Sequence, residues 1–120
     1  MPPTRQSTAT LPLAPAVYLI LLALSDGEAH GYRIRAAVIE RSRGMVTLDP
    51  GSLYRLIARL VDDGVIADTR AKTRPEAEGD RRRYYRLTPQ GRRLLNAETK
   101  RLADLVAVAR SPLARLAKPV

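Results

Sequence analysis

One stretch, Asp49 to Gly64, limits what this chain can fold into more than any other, because its start, its stop and its buried side are all written into it. Asp49 is a favoured N-cap, Pro50 suits the first helical position where a missing N–H costs nothing, and Gly64 can take the left-handed conformation that ends a helix. The spacing predicts a helix over 50–63, with Leu53, Leu56, Ile57, Leu60 and Val61 on one face and Ser52, Arg55 and Arg59 on the other. Isolated helices below roughly 12–15 residues rarely persist in water, so this one must pack. Burial is worth about 1.5–3 kcal/mol per large apolar side chain, which commits that face to a core. Only the polar, cationic side is left to meet a partner.

Charge names the class of partner. The 120 residues carry a formal net charge of +9, nearly all of the positive charge being Arg. Each phosphate contact gains from counterion release, and the planar guanidinium fork matches phosphate or guanine, so polyanions lead and nucleic acid leads among them. Exposed stacking aromatics are nearly absent, with no Trp or Phe and five Tyr, which disfavours RNA against double-stranded DNA. The absence of Cys removes disulfides and thiolate chemistry and suits a reducing cytoplasm. Ser25 and Ser52 have no plausible base partner, and there is no Gly-rich phosphate loop, so an enzymatic reading finds no site. His30, the only histidine, reads as a helix-start residue rather than a metal ligand, and neither metal nor cofactor is expected.

The flanking segments read as support for that helix. Residues 1–10 lack periodicity and are expected to form a flexible arm. The apolar run at 16–24 is too short to span a bilayer, which needs about 20 residues, and reads as a buried first helix. Residues 30–41 place Ile34, Ala37 and Val38 on one side of a second amphipathic helix. Residues 65–70 and 83–88 suggest two strands of a hairpin with a long charged tip, Tyr85 and Leu87 facing in and Tyr84 and Arg86 facing out, which is the layout of a wing. Thr88-Pro89 then opens a last helix through about Arg110. The expected architecture is mainly α with a small β-hairpin: a winged helix-turn-helix domain over 11–88, a C-terminal dimerisation helix over 89–110 and a tail over 111–120. Leu95, Leu102, Leu105, Val106 and Ala109 form the apolar stripe assigned to a second subunit.

In order along the chain, Leu21-Leu22-Ala23-Leu24, His30-Gly31-Tyr32, Pro50-Gly51-Ser52-Leu53-Tyr54, Leu60-Val61-Asp62-Asp63-Gly64-Val65-Ile66 and Arg82-Arg83-Tyr84-Tyr85-Arg86-Leu87-Thr88-Pro89-Gln90-Gly91 resemble the PadR-like transcriptional regulators. The likeness covers about residues 13–95. It implies a winged helix-turn-helix homodimer that represses promoters, reads the major groove with the helix at 50–63 and dimerises through its first and last helices. It also implies release by a small-molecule effector, aromatic or hydrophobic in the family's manner. Two departures bear on this: Arg55 stands where many relatives carry Pro, and a chain without Trp or Phe is poorly equipped for a pocket of stacked aromatics.

The candidate DNA-binding residues are Gly51, Ser52, Tyr54, Arg55 and Arg59 of the recognition helix, Tyr32 near the start of the second helix, and Arg81, Arg82 and Arg83 of the wing. Arg55 and Arg59 are candidates for guanine O6/N7, and Ser52 with the amides near Gly51 for a phosphate. Two readings stay open for Tyr54 and for Tyr32: a hydroxyl on phosphate, or a ring covering the interior. The wing arginines either follow the phosphates or form a solvated tip offset by Glu76, Glu78 and Asp80. The rival to a DNA-binding repressor is a winged-helix module whose cationic face binds an acidic protein.

Overall fold

The computed structural model describes residues 9–69 and 83–111. Its elements are helix α1 (Pro15–Ala23), a short 3-10 turn (Leu24–Asp26), strand β1 (Ala29–His30), helix α2 (Gly31–Arg41), helix α3 (Pro50–Asp62), strands β2 (Ile66–Asp68) and β3 (Tyr84–Leu87), and helix α4 (Pro89–Arg110). The strands form one antiparallel sheet in the order β1-β3-β2. β3 is therefore central, pairing Tyr85 with Ala29 on one side and Leu87 with Ile66 on the other. The third strand escaped the sequence reading because two residues give no alternation to detect.

The core is where the helical stripes and the inner face of the sheet meet. Ile20 and Leu21 of α1, Ile34 and Val38 of α2, and Leu53, Ile57 and Leu60 of α3 are fully buried with Ile66, and Tyr85 and Leu87 close the cluster from β3. Tyr84 and Arg86 face outward as the alternation requires. No helix among the described residues is long and apolar enough to cross a membrane.

Local chemistry sets the boundaries of α3. Asp49 occupies the N-cap with extended backbone but, against expectation, its side chain closes no cap hydrogen bond. The Ser52 hydroxyl beside it, ahead of the opposing effect of desolvation, holds the carboxyl below the usual range. At the other end Gly64 has φ +80°, its N–H reaching Val61 O at 3.0 Å while Val65 N reaches Leu60 O at 3.1 Å. This paired return satisfies two terminal carbonyls and turns the chain into β2. The approach to α3 is braced by Arg35, whose Nε donates to Leu48 O at 2.6 Å.

α4 begins against the end of α3 and the sheet. Thr88 caps the helix, accepting from Gly91 N at 3.0 Å and donating to Gly64 O at 2.6 Å. Gly91, Leu95 and Glu98 are buried along one stripe. Leu95, expected on a subunit interface, is instead part of the protomer's own core at 5% exposure. Three sheet strands and three short helices leave a gap that the first three turns of α4 fill. Leu102 is half-buried and everything from 103 to 110 is exposed.

Candidate nucleic-acid interface

The exposed side of α3 is centred on Gly51, Arg55, Ala58 and Asp62, which recur at helical spacing and are all exposed. Arg55 stands in the middle with its guanidinium held over the helix, Nη2 donating to Ser52 Oγ at 3.2 Å. Tyr54 lies on one flank, 47% exposed, and Ser52 and Arg59 lie on the other, both half-buried. Ala58 was not singled out from sequence, yet it keeps the centre of this face low, which lets Arg55 approach a flat partner. Arg59 is less free than expected: its Nε is buried with no hydrogen-bond partner among the described residues. Only the outer guanidinium nitrogens are left to it.

The Tyr54 ring folds over Gly31 at the first turn of α2, within contact distance of where any Cβ would stand. Its hydroxyl lies against the α2 start, so the ring covers protein while the residue as a whole stays half-exposed. On that same turn Tyr32 is 72% exposed and stacks on His30 with centroids 6.2 Å apart and planes inclined by 24°. His30 is the N-cap, its Nδ1 accepting from Arg33 N at 3.2 Å, and its ring meets Tyr84 edge-on at 5.5 Å. The histidine thus joins α2 to the wing strand, a helix-start role as the sequence suggested.

Between these elements runs a groove of about 660 Å³, lined by His30, Tyr32, Arg33, Ala36, Tyr54 and Arg83. Arg83, at the base of the wing, is within 3.6 Å of Asp68 Oδ2 but keeps 58% of its side chain exposed. Arg81 and Arg82 lie outside the described residues. The sequence named Tyr32, Tyr54 and Arg83, and the fold brings the three together with Arg33, which had not been named. Arg33 follows Tyr32 on the exposed outer side of the α2 start, so the signal was its position one residue past a named candidate.

A core of α1, α2 and α3, with α2 and α3 joined through residues 42–49, and a three-stranded antiparallel sheet whose β1 precedes α2 while β2 and β3 follow α3, define a winged helix-turn-helix protein. The chain matches the PadR-like family of transcriptional regulators over residues 20–97, and it belongs to that family. It is 34% identical over 86 residues to a transcriptional regulator of Mycobacterium tuberculosis, covering 72% of this chain and 74% of that one. It is 44% identical over 90 residues to an uncharacterized 37.1 kDa protein of a Streptomyces fradiae transposon, covering 75% of this chain but spanning only 24% of that relative's length. It also superimposes on Bacillus subtilis PadR in complex with operator DNA with a TM-score of 0.56 at 25% identity, covering 68% of this chain and 44% of that one.

Proposed function

We propose that this PadR-family regulator is a homodimeric repressor that binds a pseudopalindromic operator through α3. The observation that carries the reading is the shared outer surface of α3, the α2 start and the wing base, where Gly51, Tyr54, Arg55 and Ala58 adjoin the groove containing Tyr32, Arg33 and Arg83. An exposed helix with a small-residue centre and an arginine whose guanidinium is oriented by Ser52 suits the floor of the major groove. Tyr32, Arg33 and Arg83 flank it where the phosphates of a duplex would run. The likeness to a PadR in complex with operator DNA supports DNA as the partner.

Dimerisation is assigned to the distal part of α4. Leu105, Val106 and Val108 are 53%, 48% and 63% exposed, and with Leu102 and Ala109 they form an apolar surface that one protomer leaves uncovered. A second copy of the same helix is the partner that symmetry offers. Release by a small molecule belongs to the same proposal. Among the described residues a second groove, of about 710 Å³, lies between the turn at 24–28 and the start of α4, lined by Leu24, Leu87, the carboxylates of Asp26 and Glu28, the guanidinium groups of Arg86, Arg92 and Arg93, and by no aromatic ring. That mixed-charge lining suits a polar effector better than the flat aromatic one the resemblance implied.

The test is footprinting on operators recovered by selection from fragments of the source genome. Two protected half-sites spaced by about one helical turn, roughly 34–36 Å, are expected for a two-fold dimer. A single asymmetric site overturns the dimeric, pseudopalindromic reading, and a gel shift with no preference over scrambled DNA at any salt overturns specific DNA binding in favour of the acidic-protein module.

A further inference from the structure

Glu98 is out of place by every rule of composition. It lies on the inward stripe of α4 between Leu95 and Leu102, is 1% exposed, and stands where an apolar residue would pack. Its carboxylate is nevertheless fully engaged. Arg101, one turn on, donates from Nε to Oε1 at 2.6 Å and from Nη2 to Oε2 at 2.8 Å. Leu13 N, from the segment leading into α1, donates to Oε2 at 2.9 Å. Beside it the Tyr18 hydroxyl of α1 bonds Thr99 Oγ1 at 2.7 Å. These bonds are directional, as a greasy contact at the same place would not be.

The clamp is also the last firm anchor on α4. Before it, Gly91 and Leu95 are locked into the domain; after it, residues 103–110 leave the domain altogether. We infer that Glu98 is a positioning residue: held in place by Arg101 on its own helix and bonded by Leu13 N, it ties α4 to the segment leading into α1 and so fixes the angle at which the dimer helix leaves the winged domain, and hence the separation of the two recognition helices. The inference rests on the dimer proposed above. At 1.5 Å per residue the free end extends about 13 Å, so a tilt of about 10° at the clamp moves it by about 2 Å in each protomer and the two domains by about twice that. Successive major grooves tolerate little such error. A buried ion pair is a weak source of stability compared with apolar packing, and fixing one arrangement among several is the best-attested use of such a group.

The chain has no cysteine, so a single Asp62→Cys on the exposed side of α3 can carry a spin label in the full-length protein. Pulsed dipolar spectroscopy without DNA then reads the separation of the recognition helices in the dimer. In the Glu98 background a narrow distribution is expected. In Glu98→Leu the distribution should broaden or shift by several Å while the melting temperature holds or rises, and Glu98→Gln, which retains an acceptor oxygen, should fall between the two. Glu98→Gln also serves if the Leu variant does not fold. A dipolar signal unchanged in both variants overturns the clamp and leaves the dimer standing. No dipolar signal in the unmutated background, with a monomer by sedimentation at the same concentration, overturns the dimer reading and this inference with it.

Discussion

The ring of Tyr54 lies across Gly31 so closely that a methyl group on that glycine would stand 2.6 Å from Cζ. The contact couples the two surface helices through a side chain that is itself half-exposed. Gly31→Ala therefore separates stability from recognition. Alanine gains about 1 kcal/mol of helix propensity over glycine, and the ring can swing outward, so urea denaturation should show a change of no more than about 1 kcal/mol in either direction. The displaced hydroxyl, however, no longer sits beside the α2 start. Operator affinity should fall by about tenfold, the loss of one hydrogen bond to a charged group. Tyr54→Phe should show a similar loss in a gel-shift titration, and an unchanged affinity in both variants would return Tyr54 to a purely structural role.

Gly91 is the opposite case, because what a Cβ would strike there is backbone. It would overlap the Val65 carbonyl, standing 2.9 Å from its carbon, and that same carbonyl oxygen accepts from Thr88 N at 3.1 Å. Neither the chain after α3 nor the first turn of α4 can yield without breaking the Thr88 cap. Gly91→Ala should cost roughly 3 kcal/mol or more by thermal or urea unfolding, at the upper end of overpacking penalties. Thr88→Ala, which removes only the cap, should cost about 1 kcal/mol.

Acid should act through Glu98. The Arg101 guanidinium, ahead of the opposing effect of burial and with help from the Leu13 amide, holds its carboxyl below the ordinary value of 4.5. A carboxyl with a depressed folded-state pKa leaves the folded protein with fewer bound protons than the unfolded chain at acid pH. Its stabilising contribution is therefore complete above about pH 4.5 and is lost as pH falls through the folded value. Melting curves of the unmutated chain and Glu98→Gln should differ most at neutral pH and converge below that range. A gap independent of pH would mean that the side chain acts by shape alone.

The sequence made α3 legible because its two ends and its stripe agree: Pro50 and Gly64 stand where the helix starts and stops, and Leu53, Ile57 and Leu60 are buried as spaced. The inward pair Tyr85 and Leu87 was legible for the same reason, a period of two in a short central strand. What was not legible depends on contacts between distant segments. Two residues at 29–30 become a strand only because β3 lies alongside, and Leu95 goes inward only because the small core needs α4 to close it. Glu98 was invisible for a sharper reason: a lone acid in a helix reads as solvent-facing, and the partner that justifies its burial is a backbone N–H 85 residues away. At the candidate interface, residue types were legible but their standing was not, since only the packing distinguishes an open Arg55 from a partly sunk Arg59.

That distinction divides the two arginines in a measurable way. Arg55 is exposed and, among the described residues, hydrogen-bonded to Ser52, so Arg55→Ala should leave stability within about 0.5 kcal/mol, as surface changes usually do. If its guanidinium reads a base, the same variant should lose about 1–3 kcal/mol of operator affinity and relax the preference at one position per half-site, with little change on scrambled DNA. Arg59 holds a buried, unpartnered Nε, whose desolvation burdens the free protein by about 1–3 kcal/mol. Arg59→Met keeps the apolar stem and removes the orphaned donor, so it should raise the unfolding free energy by about 1 kcal/mol while weakening operator binding. Retention of Arg59 would then reflect recognition rather than folding. Should Arg59→Met instead destabilise the protein, the half-buried guanidinium contributes to the fold, and the search for base contacts narrows to Arg55.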